Sequence, residues 1–358
     1  MNKFIAATAF AIVLMTAAMA KTQQIIQTQE GYSYFLPKTS LRLSVLVEKT
    51  TVTPGELCIY AGRYLKKNDA PQTKSEHYKI VSISMATEAV RDTARYFVLQ
   101  ADAKHCINHA EIDRNGILTA INTEGKTVKD FVPFEKQTAI PRQDPRKFLN
   151  QEILAAASKA KMAELTAHEI YDIRDSRNEL TRGKAEFMPK DGEQLRIMLQ
   201  QLDTQERALL QMFCGTTTRD TTQTVIRYVP TEEVNDLILF RFSEKLGILD
   251  ADDLAGSPYY IDIENLKEQM PEPEIPIGNI KPDKDDIGLR VTVPGRVRAT
   301  IHTLSDKYTV TPYEFWAAQF GTLINLSGEL FNKKIRAELI LDPTTGAVEH
   351  IKTELLKK

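Results

Sequence analysis

The stretch YSYFLPKTSLRLSVLV, from Tyr32 to Val47, decides how the chain folds because its apolar residues alternate with other residues. The alternating positions are Tyr32 and Tyr34 on one parity, and Leu41, Leu43, Val45 and Val47 on the other. A period of two is typical of half-buried β-strands. Pro37 lies between the two sets and predicts a break in the strand, since proline cannot donate a hydrogen bond to a sheet.

The β pattern continues toward residue 134. Strands are predicted at His77–Met85 and Arg95–Gln100. The dipeptide Asn115-Gly116 then predicts a hairpin with a type I′ turn, in which both central residues have positive φ. We therefore expect residues 21–134 to form a mostly antiparallel β domain at the N-terminus.

Helix-forming residues replace the β pattern after a proline-rich connector. The segment Arg146–Arg182 contains no proline or glycine, and a second helix is predicted for Asp191–Phe213 with Gly215 as its stop signal. Heptad spacing relates the apolar residues of the second helix, which are Leu195, Leu199, Leu202, Leu209 and Phe213. Such a stripe is expected to pack against the first helix. The two helices and the short strands after them define a central region at residues 146–263.

The last part of the chain returns to strands. Residues 264–287 carry four prolines among many charges, which is typical of a linker. Alternating segments such as GLRVTV and IRAELIL follow and predict a small β-sandwich-like domain at residues 288–358. The predicted fold class is therefore α+β: an antiparallel β domain, a long-helix hairpin with attached strands, and a small β domain.

The first twenty residues resemble a cleavable secretory signal. Lys3 precedes an apolar run that ends in Ala18-Met19-Ala20, and no cysteine follows to carry a lipid. The net charge of −2, with acids and bases well mixed, does not indicate nucleic-acid binding. We expect an exported, non-lipidated protein, in the periplasm or at the cell surface, with no membrane span after signal cleavage. The three cysteines, Cys58, Cys106 and Cys214, leave open one disulfide with one free thiol, or three buried thiols.

The candidate catalytic residues are charges that lie on apolar helix stripes. At 100° per residue, Glu206 lies near the centre of the second helix's stripe, and Glu169 and Arg177 lie within that of the first, with Arg174 at its edge. Buried charges must be paired or face a cavity. An ion-pair network between the helices explains them, and a pocket that uses Glu169 and Glu206 as paired carboxylates is the alternative. A simple antiparallel hairpin centred near Phe187 places Glu206 opposite Glu169 and away from the arginines.

Other candidate sites depend on weaker patterns. Arg174, Arg177 and Trp316 are candidate binding residues, and Trp316 with Tyr313, Phe315 and Phe320 forms either an aromatic platform or part of a core. His105 and His109 lie about 13 Å apart if their segment is extended, which is too far for one metal ion. No dinucleotide, phosphate-loop or nucleophile-elbow motif occurs in the sequence. We therefore expect no metal ion and no cofactor.

Several longer runs carry a family resemblance. They are the run from AHEIYDIRDSRNEL to MFCGTTTRDT, the segment LFRFSEKLGILDADDLAGSPYYIDI, and AQFGTLINLSGELF with LDPTTGAVEHI near the end. Together with YFLPKTSLRLSVLVEKT, these runs resemble an uncharacterised family of exported proteins from Gram-negative anaerobic bacteria, known as a domain of unknown function. The resemblance implies export and brings no catalytic residues.

Two functions are compatible with these patterns. The first is a non-enzymatic extracytoplasmic protein that binds a protein or glycan of the cell envelope, or serves as a scaffold there. The second is a hydrolase of an envelope or dietary polymer that uses Glu169 and Glu206. A deep pocket between those carboxylates favours the hydrolase, and a packed hairpin with an exposed apolar patch favours binding.

Overall fold

The computed structural model of the chain describes residues 31–127, 131–136, 143–274, 285–306 and 310–355. The predicted signal peptide and the middle of the predicted linker lie outside these residues. The strands are β1 (Gly31–Thr53), β2 (Ser75–Gln100), β3 (Ala110–Ile112), β4 (Leu118–Ile121), β5 (Thr216–Tyr228), β6 (Val234–Ser243), β7 (Gly247–Leu249), β8 (Ser257–Gln269), β9 (Arg290–His302), β10 (Tyr313–Asn325), β11 (Ile335–Leu341) and β12 (Val348–Leu355). The α-helices are α1 (Ala61–Leu65), α2 (Gln151–Leu154), α3 (Lys159–Thr181) and α4 (Gly192–Cys214), with 3₁₀ turns at Cys58–Tyr60, Pro145–Phe148 and Gly328–Phe331.

The strands form three antiparallel sheets. Their strand orders are β2-β1-β5, β10-β9-β8-β6-β7 and β12-β11-β4-β3. Sheets of this kind together with a separate pair of long helices confirm the α+β class. The three cysteines form no disulfide.

Strand β1 connects the cores of the molecule. Its N-terminal part contributes Tyr34 to a core shared with β4, β9 and β11. Its middle contributes Leu41 and Leu43 to a second core, and its later part contributes Val45 and Val47 to a third. The alternation seen in the sequence is therefore the alternation of one long central strand between buried and outward positions.

The predicted break at Pro37 is wrong, because β1 continues through it. The irregularity falls on the partner strand instead: Phe35 pairs with Tyr96, and Pro37 pairs with Arg91, so four residues of β2 have no partner. The buried carboxylate of Asp92 holds this bulge by accepting the Ala94 N–H at 3.0 Å. A bulge accommodates a proline because the strand pairing is interrupted there, so the sheet requires no hydrogen bond from the proline nitrogen. The two strands predicted between His77 and Gln100 are likewise one strand.

The hairpin between β3 and β4 is present, but its turn is not of type I′. Positive φ occurs at Gly116 (+80°) and not at Asn115. The side chain of Asp113 accepts the backbone N–H groups of Asn115 and Ile117, both at 2.8 Å. This side chain fixes a three-residue hairpin loop whose last residue is the left-handed Gly116.

The first predicted helix is interrupted, whereas the second is confirmed. Asn150 and Ser158 act as N-caps, accepting the backbone N–H groups of Ile153 and Lys161, so the chain begins a new helix at each of them. Helix α4 follows its prediction: Asp191 caps its N-terminus, and Gly215 ends it with a φ of +69°.

The sheets cross the domain boundaries that the sequence predicts. Strand β8 from the central region pairs with β9 from the C-terminal region, and β4 from the N-terminal region pairs with β11. The first six residues of the predicted linker, 264–269, belong to β8. The prediction of a separate sandwich at residues 288–358 is therefore wrong, because the strands of this region share their sheets with strands from earlier parts of the chain. Strand pairing is non-local, so composition alone does not show it.

Candidate functional site

An ion-pair network connects the two long helices. Glu206 on α4 is almost fully buried, and each of its carboxylate oxygens accepts from a different arginine of α3. Arg174 Nε donates to Oε1 at 2.6 Å, and a terminal nitrogen of Arg177 donates to Oε2 at 2.7 Å. Arg177 also pairs with Asp203 at 2.8 Å. The hydrogen bond to Asp203 and the charge of Glu206 raise the pKa of Arg177 above its usual value.

The register of this network differs from the simple hairpin predicted from the sequence. Glu206 lies opposite the arginines and not opposite Glu169. Extending the Arg177–Asp203 register to the end of α3 places Thr181 opposite Leu199. The segment Gly192–Met198 of α4 therefore extends past the end of α3 by roughly 10 Å, at 1.5 Å per residue. The prediction was wrong because it assumed that the loop is divided equally between the two helices.

The projecting end of the hairpin exposes large apolar side chains. Phe187 in the loop is 82% exposed, Ile197 is 48% exposed, and Met188 and Met198 are both more than 40% exposed. Ile197 lies about 200° around the helix from Leu195, so the end of α4 is apolar on more than the side that faces α3. We call Phe187, Met188, Ile197 and Met198 the hairpin tip. A helix that is apolar on several sides is normally buried against something.

The base of the hairpin is packed against the short helical segment that follows β1. Leu209 and Phe213 are fully buried with Leu57 and Ala61, and Ile170 joins them from α3. The backbone N–H of Leu57 donates to the carbonyl of Met212 at 2.7 Å. Among the described residues, the hairpin is thus held by packing at its base, whereas its tip is exposed.

Glu169 is hydrogen-bonded to a residue outside the Glu206 network. Its Oε2 accepts from the side-chain nitrogen of Asn150, at 3.1 Å. Asn150 is the N-cap of α2, so this bond ties α2 to α3. Each candidate carboxylate therefore has a structural partner of its own.

Trp316 lies on the outer face of the five-stranded sheet, apart from the other aromatic residues named with it. Tyr313 and Phe315 stack at 5.7 Å between ring centroids and, with Phe320, belong to the core under this sheet. Side chains alternate along a strand, so Trp316 faces the opposite way and pairs with Arg296 across β9. The four residues therefore do not form one aromatic platform.

The same outer face carries a dense set of ion pairs. Arg296 bonds to Glu268 at 2.8 Å and to Glu314 at 2.6 Å, and Arg298 bonds to Glu314 at 2.8 Å and to Glu264 at 3.0 Å. Along β9, the alternate residues Thr300 and His302 continue this polar face. A cavity of about 370 Å³ lies beside Arg298, Glu264 and Asp262.

Three potential metal ligands meet at one end of this face. A bulge in β6 places Asp236 opposite Asp262 of β8, and His302 of β9 lies next to both. The Nε2 atom of His302 lies 3.2 Å from Oδ1 of Asp262 and 3.5 Å from Oδ1 of Asp236. No sequence pattern indicated this cluster, because the three residues lie on separate strands and share no short motif.

The structure also gives a role to His105, which lies too far from His109 in an extended segment to share a metal ion with it. Its Nδ1 contacts Asp102 at 2.7 Å, and its Nε2 contacts Asp285 at 2.8 Å. Partial burial opposes the charged form, but the bonds to Asp285 and Asp102 outweigh it and raise the pKa of His105 above its usual value. His105 therefore connects two chain segments that are distant in sequence.

The fold and these surfaces define a β-rich α+β protein with a projecting helical hairpin and a polar sheet face. Among the described residues, no helix has both the length and the apolar composition that crossing a bilayer requires. The family model for a domain of unknown function, DUF4831, matches residues 30–349, and the chain belongs to this family. No curated protein and no solved structure matches the chain.

Proposed function

We propose that this protein is an exported, non-enzymatic scaffold that docks a partner protein through the hairpin tip. The observation that carries the proposal is the projecting end of the hairpin, where Phe187 and Ile197 are exposed in the part of the chain that the structure describes. Export is supported by the secretory pattern of residues 1–20, and location in the periplasm or at the cell surface is part of the same proposal.

The size of the hairpin tip suits the centre of a protein interface. Phe187 alone exposes most of a side chain that buries about 150–250 Å² when covered. With the other three side chains, the apolar area is on the order of 400 Å², which is within the range of functional patches on monomers. A standard interface buries about 800 Å² per partner, so the tip supplies its apolar core and the surrounding residues supply a polar rim.

The charges around the tip favour a protein over a membrane. Arg182, Lys184, Lys190 and Arg196 are cationic, whereas Glu186, Asp191 and Glu193 are anionic. The two signs nearly cancel, so the tip lacks the basic excess that attracts anionic lipids. Two of the four tip residues are methionines, whose flexible side chains adapt to irregular apolar pockets. The proposed partner is therefore a protein with an apolar pocket that accepts Phe187.

The charged candidates on the helices support the same proposal. Both oxygens of Glu206 are occupied by arginines, and Arg174 and Arg177 are in turn bonded to acids. Both oxygens of Glu206 are therefore engaged with arginines, and catalysis by Glu206 would first require these bonds to break. The network instead stiffens the hairpin, which lowers the entropic cost of presenting the tip to a partner.

The proposal is tested by capture and then by measured affinity. The tagged mature chain is used to capture partners from envelope extract of the source organism, and each identified partner is purified and titrated against the variants. Phe187→Asp combined with Ile197→Asp is expected to weaken binding at least 30-fold, about the loss of one hot-spot residue. Leu254→Asp is the matched control, because Leu254 is 84% exposed in a loop after β7. It is expected to bind like the wild type.

Three results would overturn the proposal. One is a partner that binds the double variant and the wild type equally. Another is the absence of any purified partner that binds the wild type. The third is binding of the wild type to vesicles of anionic lipid that the double variant loses, which would assign the tip to a membrane surface. Thermal unfolding of each variant is the check that its fold is retained.

A further inference from the structure

We propose that Asp236, Asp262 and His302 form a binding site for a divalent transition-metal ion of the zinc class. The three ligand atoms all lie within 4.8 Å of one another. They come from three adjacent strands of one sheet, β6, β8 and β9, so the sheet hydrogen bonds fix their relative positions.

The distances between the ligand atoms fit an ion at their centre. Zinc binds histidine nitrogen and carboxylate oxygen at about 2.0–2.2 Å, and in a tetrahedron such ligands lie about 3.4 Å apart. The Nε2 atom of His302 lies 3.2 Å and 3.5 Å from the nearest oxygens of Asp262 and Asp236. An ion therefore enters with only small side-chain rotations.

The chemistry of the ligands selects the class of metal. One imidazole and two carboxylates suit zinc and neighbouring transition metals, whereas calcium and magnesium prefer oxygen ligands alone. The two carboxylates balance the charge of a divalent ion. Three protein ligands leave a fourth position for water or a ligand, which is the pattern of open zinc sites.

Neighbouring groups hold the ligands in place. The backbone N–H of Asp236 donates to Oδ1 of Asp262 at 2.8 Å, which orients that carboxylate. The ring of Tyr260 stacks on His302 at 5.3 Å between centroids, which orients the imidazole. His302 is 13% exposed at its side chain, whereas Asp236 is 77% exposed. The site is thus preformed on its inner side and open to solvent on its outer side.

The site also adjoins a space for a second molecule. Asp262 lines the cavity of about 370 Å³ that Asn235, Arg298 and Thr300 also line. A molecule in this cavity would lie beside Asp262, one of the three proposed ligands. This arrangement is independent of the hairpin tip, which is formed by different elements.

Calorimetric titration of the mature, tag-free chain with zinc, after chelator treatment, tests the site. We expect one ion per chain with a dissociation constant in the micromolar range or below, and a thermal midpoint that rises on binding. Asp236→Asn and His302→Ala are each expected to weaken binding at least tenfold, while His350→Ala, at an exposed position on β12, is the control and leaves it unchanged. Asp236 is mostly exposed, so its variant remains informative if His302→Ala fails to fold.

A second readout separates this site from adventitious zinc. Cobalt in place of zinc is expected to give the visible absorption of a four-coordinate ion in the wild type, and the Asp236→Asn variant is expected to lose it. The proposal is overturned if zinc binds no more tightly than about 100 μM, or if Asp236→Asn and His302→Ala bind zinc and cobalt as the wild type does. The result leaves the function proposed for the hairpin tip unaffected in either case.

Discussion

Replacement of Glu206 by alanine tests whether the network between α3 and α4 stabilises the protein. Glu206 is 7% exposed and accepts two charge-assisted bonds, from Arg174 at 2.6 Å and from Arg177 at 2.7 Å. The variant removes the acceptor of Arg174 Nε and one of the two carboxylate acceptors of Arg177, which keeps its bond to Asp203. Because both arginines remain about one-third exposed, water replaces part of what they lose.

The expected cost follows from these contacts. A hydrogen bond that involves a charged group contributes about 1.5–3 kcal/mol when buried. Two such bonds, reduced for the exposure of the arginines, lead us to expect that Glu206→Ala lowers the free energy of unfolding by about 3 kcal/mol. Asp203→Ala is the matched control on the same helix. Its side chain is 45% exposed with one partner, so the expected change is within about 0.5 kcal/mol.

Urea unfolding at pH 7, followed by far-ultraviolet circular dichroism, measures both variants. An unchanged slope with a lower midpoint shows that stability has changed and the folded state has not. A cycle with Arg174→Ala and the double variant is expected to give a coupling energy of about 1–2 kcal/mol. The reasoning is refuted if Glu206→Ala costs less than about 1 kcal/mol, or no more than Asp203→Ala.

Two further predictions concern the connections of the fold. Gly215→Ala is expected to lower the free energy of unfolding by more than about 2 kcal/mol, since φ is +69° and an added Cβ collides with the carbonyl oxygen of Thr53. Gly192→Ala is the control, because nothing lies within 4 Å of its added Cβ. Equal urea midpoints for the two variants would contradict the prediction for Gly215. The second prediction uses pH. The pKa of His105 is raised by its bonds to Asp285 and Asp102 against the effect of burial, so its stabilisation is complete below the unfolded-state pKa of about 6.5 and is lost as pH rises through the folded-state pKa. Urea unfolding between about pH 6 and 8 should show stability falling with pH in the wild type, and His105→Gln should lack this dependence; an identical slope in both would disprove the role of His105.

The parts of the fold that the sequence predicted are those set by local chemistry. Helix α4 begins and ends as predicted, because its cap at Asp191 and its stop at Gly215 act on the adjacent backbone. The break at Pro37 was wrong because the bulge that accommodates the proline lies on β2, far away in sequence. The sequence shows that Pro37 cannot donate a hydrogen bond, but the paired strand β2 determines how the sheet accommodates it.

The candidate site divides in the same way. The sequence singled out Glu206, Arg174 and Arg177 because charges on apolar stripes require partners. It paired them wrongly, since a loop of unknown path set the register of the helices. The cluster of Asp236, Asp262 and His302 had no signal in the sequence, because strand pairing alone brings these residues together.

The sequence by itself determined the strand alternation of β1, the extent of α4 and the need for buried ion pairs. These features depend on side-chain periodicity and on caps within a few residues. The tertiary structure decided which strands share a sheet, how far α4 projects beyond α3 and which ligands meet at the sheet face. These features depend on hydrogen bonds and packing between distant segments, whose free energy exists only once the segments are in contact.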